Sequence, residues 1–394
     1  MKAHPDMTSD PSDLGPSTRL LRAGHAPVRF HGFVNPPVVH ASTVLFPDTE
    51  TMRRRGQPYT YALRGTPTTE ALELALDELE GSAGTILVPS GLAAISIPLL
   101  AFLCAGDHCL VVDSCYGPTR LFCDTMLRRL GVETEYFDPG IGAGLSALLR
   151  PNTRVVFLEA PGSNTFEMMD VGQACEIARS HGAVTMLDNT WATPLLFRPL
   201  DHGVDMSIHA LTKYPGGHSD VMIGSVSANA ATFKRLRDAQ MQLGVNVSPD
   251  DAYLTFRGLK TMPVRLKAHE TSALELAHWL ETRPEVARVL HPALPSFEGH
   301  ALWKRQFKGS SGLFSFVLAG SDRRTAARFL DALRLFGLGF SWGGFESLAL
   351  DADLDDRQVA RAPAEGRVIR LQVGLEDVAD LRKDLERGFA AFAD

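Results

Sequence analysis

The sequence predicts an α/β protein built on a mainly parallel sheet, followed by a smaller α+β region and preceded by an extended arm. Three observations carry this. From about residue 66 to about 257, short apolar runs alternate with longer stretches of helical spacing. The short runs are continuously apolar, as in strands covered on both faces. After residue 257 the alternation gives way to long helical segments and isolated strand-like runs.

Taken in order, residues 1–65 are rich in Pro, Ser, Thr and Gly without a sustained period and read as an N-terminal arm. Thr68–Glu80 repeats apolar residues at helical spacing and meets a stop at Gly81. Strands are then expected at Thr85–Val88, His108–Val112, Thr134–Phe137, Val155–Leu158, Val184–Leu187 and Met206–Ala210. Helices fall between them at Leu92–Cys104, Pro118–Leu130 and Gly172–His181. Residues 66–257 therefore read as one large domain. The helical Pro263–Thr282 and the strand-like Gly312–Leu318 and Val368–Val373 read as a small domain over 258–394.

Composition narrows the function. A chain of 394 residues exceeds one ordinary core. Its 45% hydrophobic and 22% charged residues are ordinary for a globular protein. A net charge of −7, with Arg53-Arg54-Arg55 as the one basic cluster, argues against a nucleic-acid partner. No apolar run approaches the roughly 20 residues that span a bilayer, so no membrane partner is expected. Cys104, Cys109, Cys115, Cys123 and Cys175 have no metal-ligand or C-x-x-C spacing. They read as reduced, structural thiols of a cytoplasmic protein, and no metal is expected.

Two strand ends carry the chemistry. Val184–Asp188 is an apolar strand that delivers an acid at its carboxyl end, where open parallel sheets present ligand groups. Taken alone, Asp188 could simply cap the next turn. Ser207–Lys213 is a second such strand ending in a lysine, which taken alone is more often a surface residue. Together they suit pyridoxal 5'-phosphate (PLP), which needs a lysine for a Schiff base and an acid beside the pyridine nitrogen.

Val88-Pro89-Ser90-Gly91-Leu92 is a strand, a small-residue turn and a helix start, which suits a phosphate. Tyr116 follows the next strand and offers a face that could stack on a ring. Arg370 is a charge inside an apolar strand, and its fork matches a substrate carboxylate. Gly140-Ile141-Gly142-Ala143-Gly144 misses the dinucleotide-loop spacing, which disfavours an NAD-dependent enzyme.

At these residues the chain resembles the Cys/Met-metabolism family of fold-type-I PLP-dependent enzymes, from about Tyr61 to Asp394. Phe340–Ser347, Val368–Asp377 and His291–Pro295 are similar to the β-acting bacterial members. The resemblance implies a PLP-dependent transferase-like fold and β-elimination at the carbon–sulfur bond of L-cystathionine, with other cysteine conjugates as possible substrates. A γ-acting relative or a non-catalytic regulator on the same fold are the alternatives. It also implies that Lys213 carries the cofactor, Asp188 pairs with its ring nitrogen and Tyr116 stacks on it. Gly91, Leu92, Thr212 and Tyr61 would hold the phosphate, while Arg370, Ser341 and Trp342 would receive the substrate. Tyr61 would act on a neighbouring subunit, which implies a homo-oligomer, a tetramer of paired dimers. The family pattern there, Y-x-R-x-G, is broken by Leu63, with Arg64 one place later.

Overall fold

The computed structural model describes residues 14–24 and 26–393. A first sheet has seven strands: β1 (Gly84–Val88), β2 (His108–Val112), β3 (Glu133–Phe137), β4 (Thr153–Glu159), β5 (Val184–Asp188), β6 (Met206–His209) and β7 (Gly224–Ala228). Their spatial order is β1-β7-β6-β5-β4-β2-β3. The pairs from β3 through β2, β4 and β5 to β6 are parallel. Only β7 runs against its neighbours, β1 and β6. The carboxyl ends of the other six therefore open on one edge, and in such sheets ligands gather there.

Local chemistry sets the helices that flank this sheet. Gly91–Phe102 is capped by Ser90, whose hydroxyl accepts from the Ala93 N–H. Asp170 caps Val171–His181 in the same way, and Gly182 ends that helix at φ +78°. The single helix expected over Pro118–Leu130 is instead Gly117–Phe122 followed by a wider π turn at Cys123–Leu127.

A second sheet holds β8 (Val286–Leu290), β9 (Leu313–Ala319), β10 (Gly337–Leu338), β11 (Leu348–Ala352) and β12 (Gly366–Gln372), in the order β10-β11-β12-β9-β8. In β12, Arg370 lies in register with Leu350 of β11 and Ser315 of β9.

One helix, Pro249–Leu280, passes through residue 257 without a break. The sequence reading has a helical segment from Pro263; proline favours a first turn but here lies inside the helix. Burial outweighs that preference: Phe256, Leu259, Met262 and Leu266 pack with Leu72 and Leu76 of the helix Pro67–Glu80. Part of the arm joins this core. The short helix Pro16–Arg22 buries Leu20, and the Lys260 ammonium donates to the Leu20 and Ala23 carbonyls at 3.1 and 2.8 Å.

Candidate active site

The site is easiest to follow along the open edge, in the spatial order of the strands. At its β1 end the Ser90–Gly91 turn lies against the chain that leaves β6. A Cβ on Gly91 would come within 2.5 Å of the Ala210 Cβ, and one on Gly224 within 2.4 Å of the Ser90 carbonyl oxygen. Only glycines allow that approach, which leaves the first-turn N–H groups of Gly91 and Leu92 as an anion cradle beside the β6 end. Thr212 borders the cradle, but its hydroxyl is already used. It donates to the Ile223 carbonyl at 3.1 Å and accepts from the Ile223 N–H at 3.0 Å. A phosphate oxygen would have to compete for that proton.

Lys213 follows β6. Its Nζ donates to the Ser341 hydroxyl at 2.7 Å and lies 5.2 Å from the centre of the Trp342 ring. The segment carrying Ser341 and Trp342 presses on the lysine backbone. Gly343, at φ +83°, would place a Cβ 2.9 Å from the Tyr214 nitrogen and 3.2 Å from the Lys213 Cα. Burial, helped by the charge of Arg370, lowers the Lys213 ammonium pKa to about 8. A neutral amine is thus within reach at ordinary pH.

Asp188 ends β5, the next strand. Its Oδ1 accepts from the Thr190 N–H at 3.0 Å and from the Thr190 hydroxyl at 2.5 Å. These are the bonds of a turn cap, yet Oδ2 makes no hydrogen bond among the described residues. Burial raises the Asp188 carboxyl above its ordinary value, while the Thr190 bonds and the Lys213 charge oppose that rise. In β4, Glu159 sits in register with Asp188 and accepts from the Tyr116 N–H at 2.8 Å. Burial and the Asp188 charge push Glu159 well above the usual carboxylate range, while the Tyr116 N–H bond opposes that rise. Tyr116, after β2, is 43% exposed, which leaves surface for a ligand ring.

Arg370 reaches the site from the second sheet. Its Nη1 donates to Asn164 Oδ1 at 3.2 Å and its Nη2 to the Ser341 carbonyl at 3.4 Å. Burial lowers it to about 10. Among the described residues no carboxylate pairs with it, although buried arginines are normally paired.

Lys213, Asp188, Tyr116, Arg370, Ser341, Trp342, Gly91, Leu92 and Thr212 are thus gathered at one edge. Tyr61 is not. It is 51% exposed, and no hydrogen bond or ion pair among the described residues links it to Lys213. Leu63 and Arg64 line a separate cavity of about 300 Å³ with Glu73, Arg237 and Gln240. A cavity of about 950 Å³ lined by Asp138, Glu167, Arg288 and Arg305 holds none of the candidate residues. Convergent chemistry, rather than volume, locates the site.

Sequence reading missed Glu159, Asn164 and Thr190. Glu159 carried a signal, since it ends an apolar strand as Asp188 does. The other two matter only through contacts made by the fold.

These residues fit PLP: a cradle kept open by Gly91, an amine of lowered pKa, and a carboxyl one strand away. The comparisons agree. A protein of Rhizobium johnstonii, named provisionally as a cystathionine beta-lyase, is 65% identical over 96% of this chain and 97% of its own. Cystathionine beta-lyase MetC of Escherichia coli is 46% identical, covering 95% of this chain and 98% of that one. The crystal structure of metB from Corynebacterium glutamicum superposes with a TM-score of 0.90 at 32% identity, covering 97% of this chain and 99% of that one. The family model of Cys/Met metabolism PLP-dependent enzymes matches residues 17–390, and with that match and this geometry the chain belongs to that family.

Proposed function

We propose that this enzyme cleaves the Cβ–S bond of L-cystathionine, consuming one water and yielding homocysteine, pyruvate and ammonia. The observation that carries the reading is the Lys213 amine, under the electrostatic influence of both Asp188 on the neighbouring strand and an Arg370 that has no carboxylate partner among the described residues. When bound, PLP supplies a sink for the electrons left at Cα.

The chain's own groups do the rest. The Gly91 and Leu92 N–H groups would hold the phosphate, with Thr212 if its hydroxyl turned from the Ile223 carbonyl, and Tyr116 would offer its ring face to the cofactor. Asp188 would pair with the pyridine nitrogen and favour its protonated form. Arg370 grips the substrate α-carboxylate, with Ser341 and Trp342 beside it. The Lys213 amine, lowered to about 8, would be a base of suitable strength for the substrate Cα proton. The sulfur then departs from Cβ as the homocysteine thiolate.

The same reading divides the chain into an arm (1–65), a cofactor domain (66–257) and a small domain (258–394). It pairs two copies through the arm, where Leu45 is 85% exposed and Phe33 71%. A cytoplasmic location accords with the free cysteines, and no helix among the described residues is long and apolar enough to cross a membrane.

Incubation of the purified enzyme with L-cystathionine tests the reading. Pyruvate as the keto acid supports it. 2-Oxobutyrate would mean γ-cleavage, and the absence of any keto acid would remove the activity altogether. Borohydride reduction and peptide mapping should place the pyridoxyl group on Lys213.

A further inference from the structure

Between β11 and β12 the chain leaves the second sheet for residues 353–365, then returns as the strand that carries Arg370. This excursion is fastened to the first sheet. Asp113, at the end of β2, accepts from the backbone N–H groups of Gln358, Val359 and Ala360 at 2.9, 2.6 and 2.6 Å. Arg120 holds the same carboxylate at 2.5 Å and reaches Asp356 at 3.2 Å.

Arg357 extends the fastening to the loop after β4. Its guanidinium, 5% exposed, donates to Glu167 Oε1 at 2.7 Å, to the Ser163 carbonyl at 3.3 Å and to the Thr165 hydroxyl. Ser163 and Thr165 flank Asn164, which is held at φ +66°. Asparagine tolerates that left-handed conformation better than most residues, and here the bonds of Arg357 to the residues on either side support it. Asn164 Oδ1 accepts from Arg370, and its carbonyl accepts from Ser315 at 2.7 Å, on the strand in register with Arg370.

The plain alternative is that Arg357 and Glu167 form an ion pair that merely ties two sheets together. It leaves unexplained why two of Arg357's three partners stand on either side of Asn164. Among the described residues Arg370 has no carboxylate to fix its orientation, so the Asn164 amide and the Ser341 carbonyl do that work.

We propose that Arg357 is a positioning residue. It locks the 163–165 backbone so that Asn164 aims the Arg370 guanidinium at the substrate carboxylate. The inference rests on the reading of Arg370 as the carboxylate group's partner.

The test uses the holoenzyme as wild type and as Arg357→Gln, Arg357→Lys, Glu167→Gln and Arg370→Lys, measuring KM and kcat for L-cystathionine, cofactor absorbance and Tm. Arg357→Gln should raise KM by about tenfold, rather less than the loss of a whole charge-assisted bond. Its kcat should stay within about threefold and its cofactor content should be unchanged. Arg357→Lys should recover part of the KM. Should Arg357→Gln fail to fold, Glu167→Gln carries the test, with a KM rise of about threefold, half the effect on a logarithmic scale.

An unchanged KM in Arg357→Gln, or in Glu167→Gln where that stands in, overturns the role. So does a fall in kcat and cofactor content that tracks a fall in Tm, the mark of a merely structural tie. If Arg370→Lys leaves KM unchanged, the carboxylate reading fails and this inference with it. If Arg370→Lys raises KM while Arg357→Gln does not, only the positioning role is lost.

Discussion

The Lys213 Nζ lies 2.7 Å from the hydroxyl oxygen of Ser341, a residue held at φ +82°. The same Ser341 offers its carbonyl to Arg370. One residue of unfavourable backbone conformation therefore touches both cations of the site, Lys213 with its side-chain hydroxyl and Arg370 with its own carbonyl. The two charges are coupled, and that coupling can be measured.

The first prediction concerns this coupling. Only the neutral amine attacks the cofactor aldehyde, and Lys213 is lowered to about 8 by burial and by the Arg370 charge. The rate at which apoenzyme recaptures PLP should therefore rise with pH and level off above about pH 8. An ordinary lysine would keep gaining rate toward about 10.4. In Arg370→Met the opposing charge is gone, so the midpoint should move up. A midpoint that stays put would show that burial alone sets the amine.

A second prediction separates chemistry from capping at Asp188. Asp188→Asn keeps the shape and the Oδ1 acceptor for Thr190 but removes the charge that holds the ring proton. Turnover should fall by about a hundredfold or more while the cofactor stays bound. A kcat near the wild-type value would make Asp188 only the cap that its Thr190 bonds resemble.

The third prediction tests the cradle. Gly91→Ala puts a methyl group 2.5 Å from the Ala210 Cβ, so the helix start must move away from the β6 end. PLP affinity, read by equilibrium dialysis, should fall by about tenfold, with the circular dichroism spectrum unchanged. Adding Ala210→Gly should restore most of it. No recovery in the double variant would mean that the contact is not what shapes the cradle.

Leu63 supplies the fourth. If the phosphate has one charged partner fewer than in related enzymes, Leu63→Arg should tighten PLP binding by about tenfold to a hundredfold, the worth of one charge-assisted hydrogen bond. Arg64→Ala should release PLP only if Arg64 already serves. If neither changes the affinity, the arm does not reach a phosphate, and the proposed pairing of copies loses its main support.

Much of this was legible in the chain, and the rest was hidden for identifiable reasons. Strands such as His108–Val112 are apolar on both faces and announce themselves. Strand β7, Gly224-Ser225-Val226-Ser227-Ala228, is just as buried but carries two serines, one of which finds a partner inside the sheet. Ser227 and Thr85 meet at 2.7 Å, a cross-strand bond that no periodicity reveals. β11 hid for a similar reason, its Asp351 being answered by Arg367 from β12. At the site, Lys213 and Asp188 were visible because each closes an apolar run. Asn164 and Arg357 lie in loops and acquire meaning only when the two sheets meet.

That meeting has a consequence for how such an enzyme can change. The cradle, Lys213, Asp188 and Tyr116 all belong to the first sheet, whereas Arg370, Ser341 and Trp342 belong to the second. On the assignment proposed above, cofactor retention and substrate choice are inherited on separate scaffolds. The separation is incomplete where Ser341 and Gly343 meet Lys213, so loops of the second sheet can be rebuilt for a different amino acid most freely away from that contact.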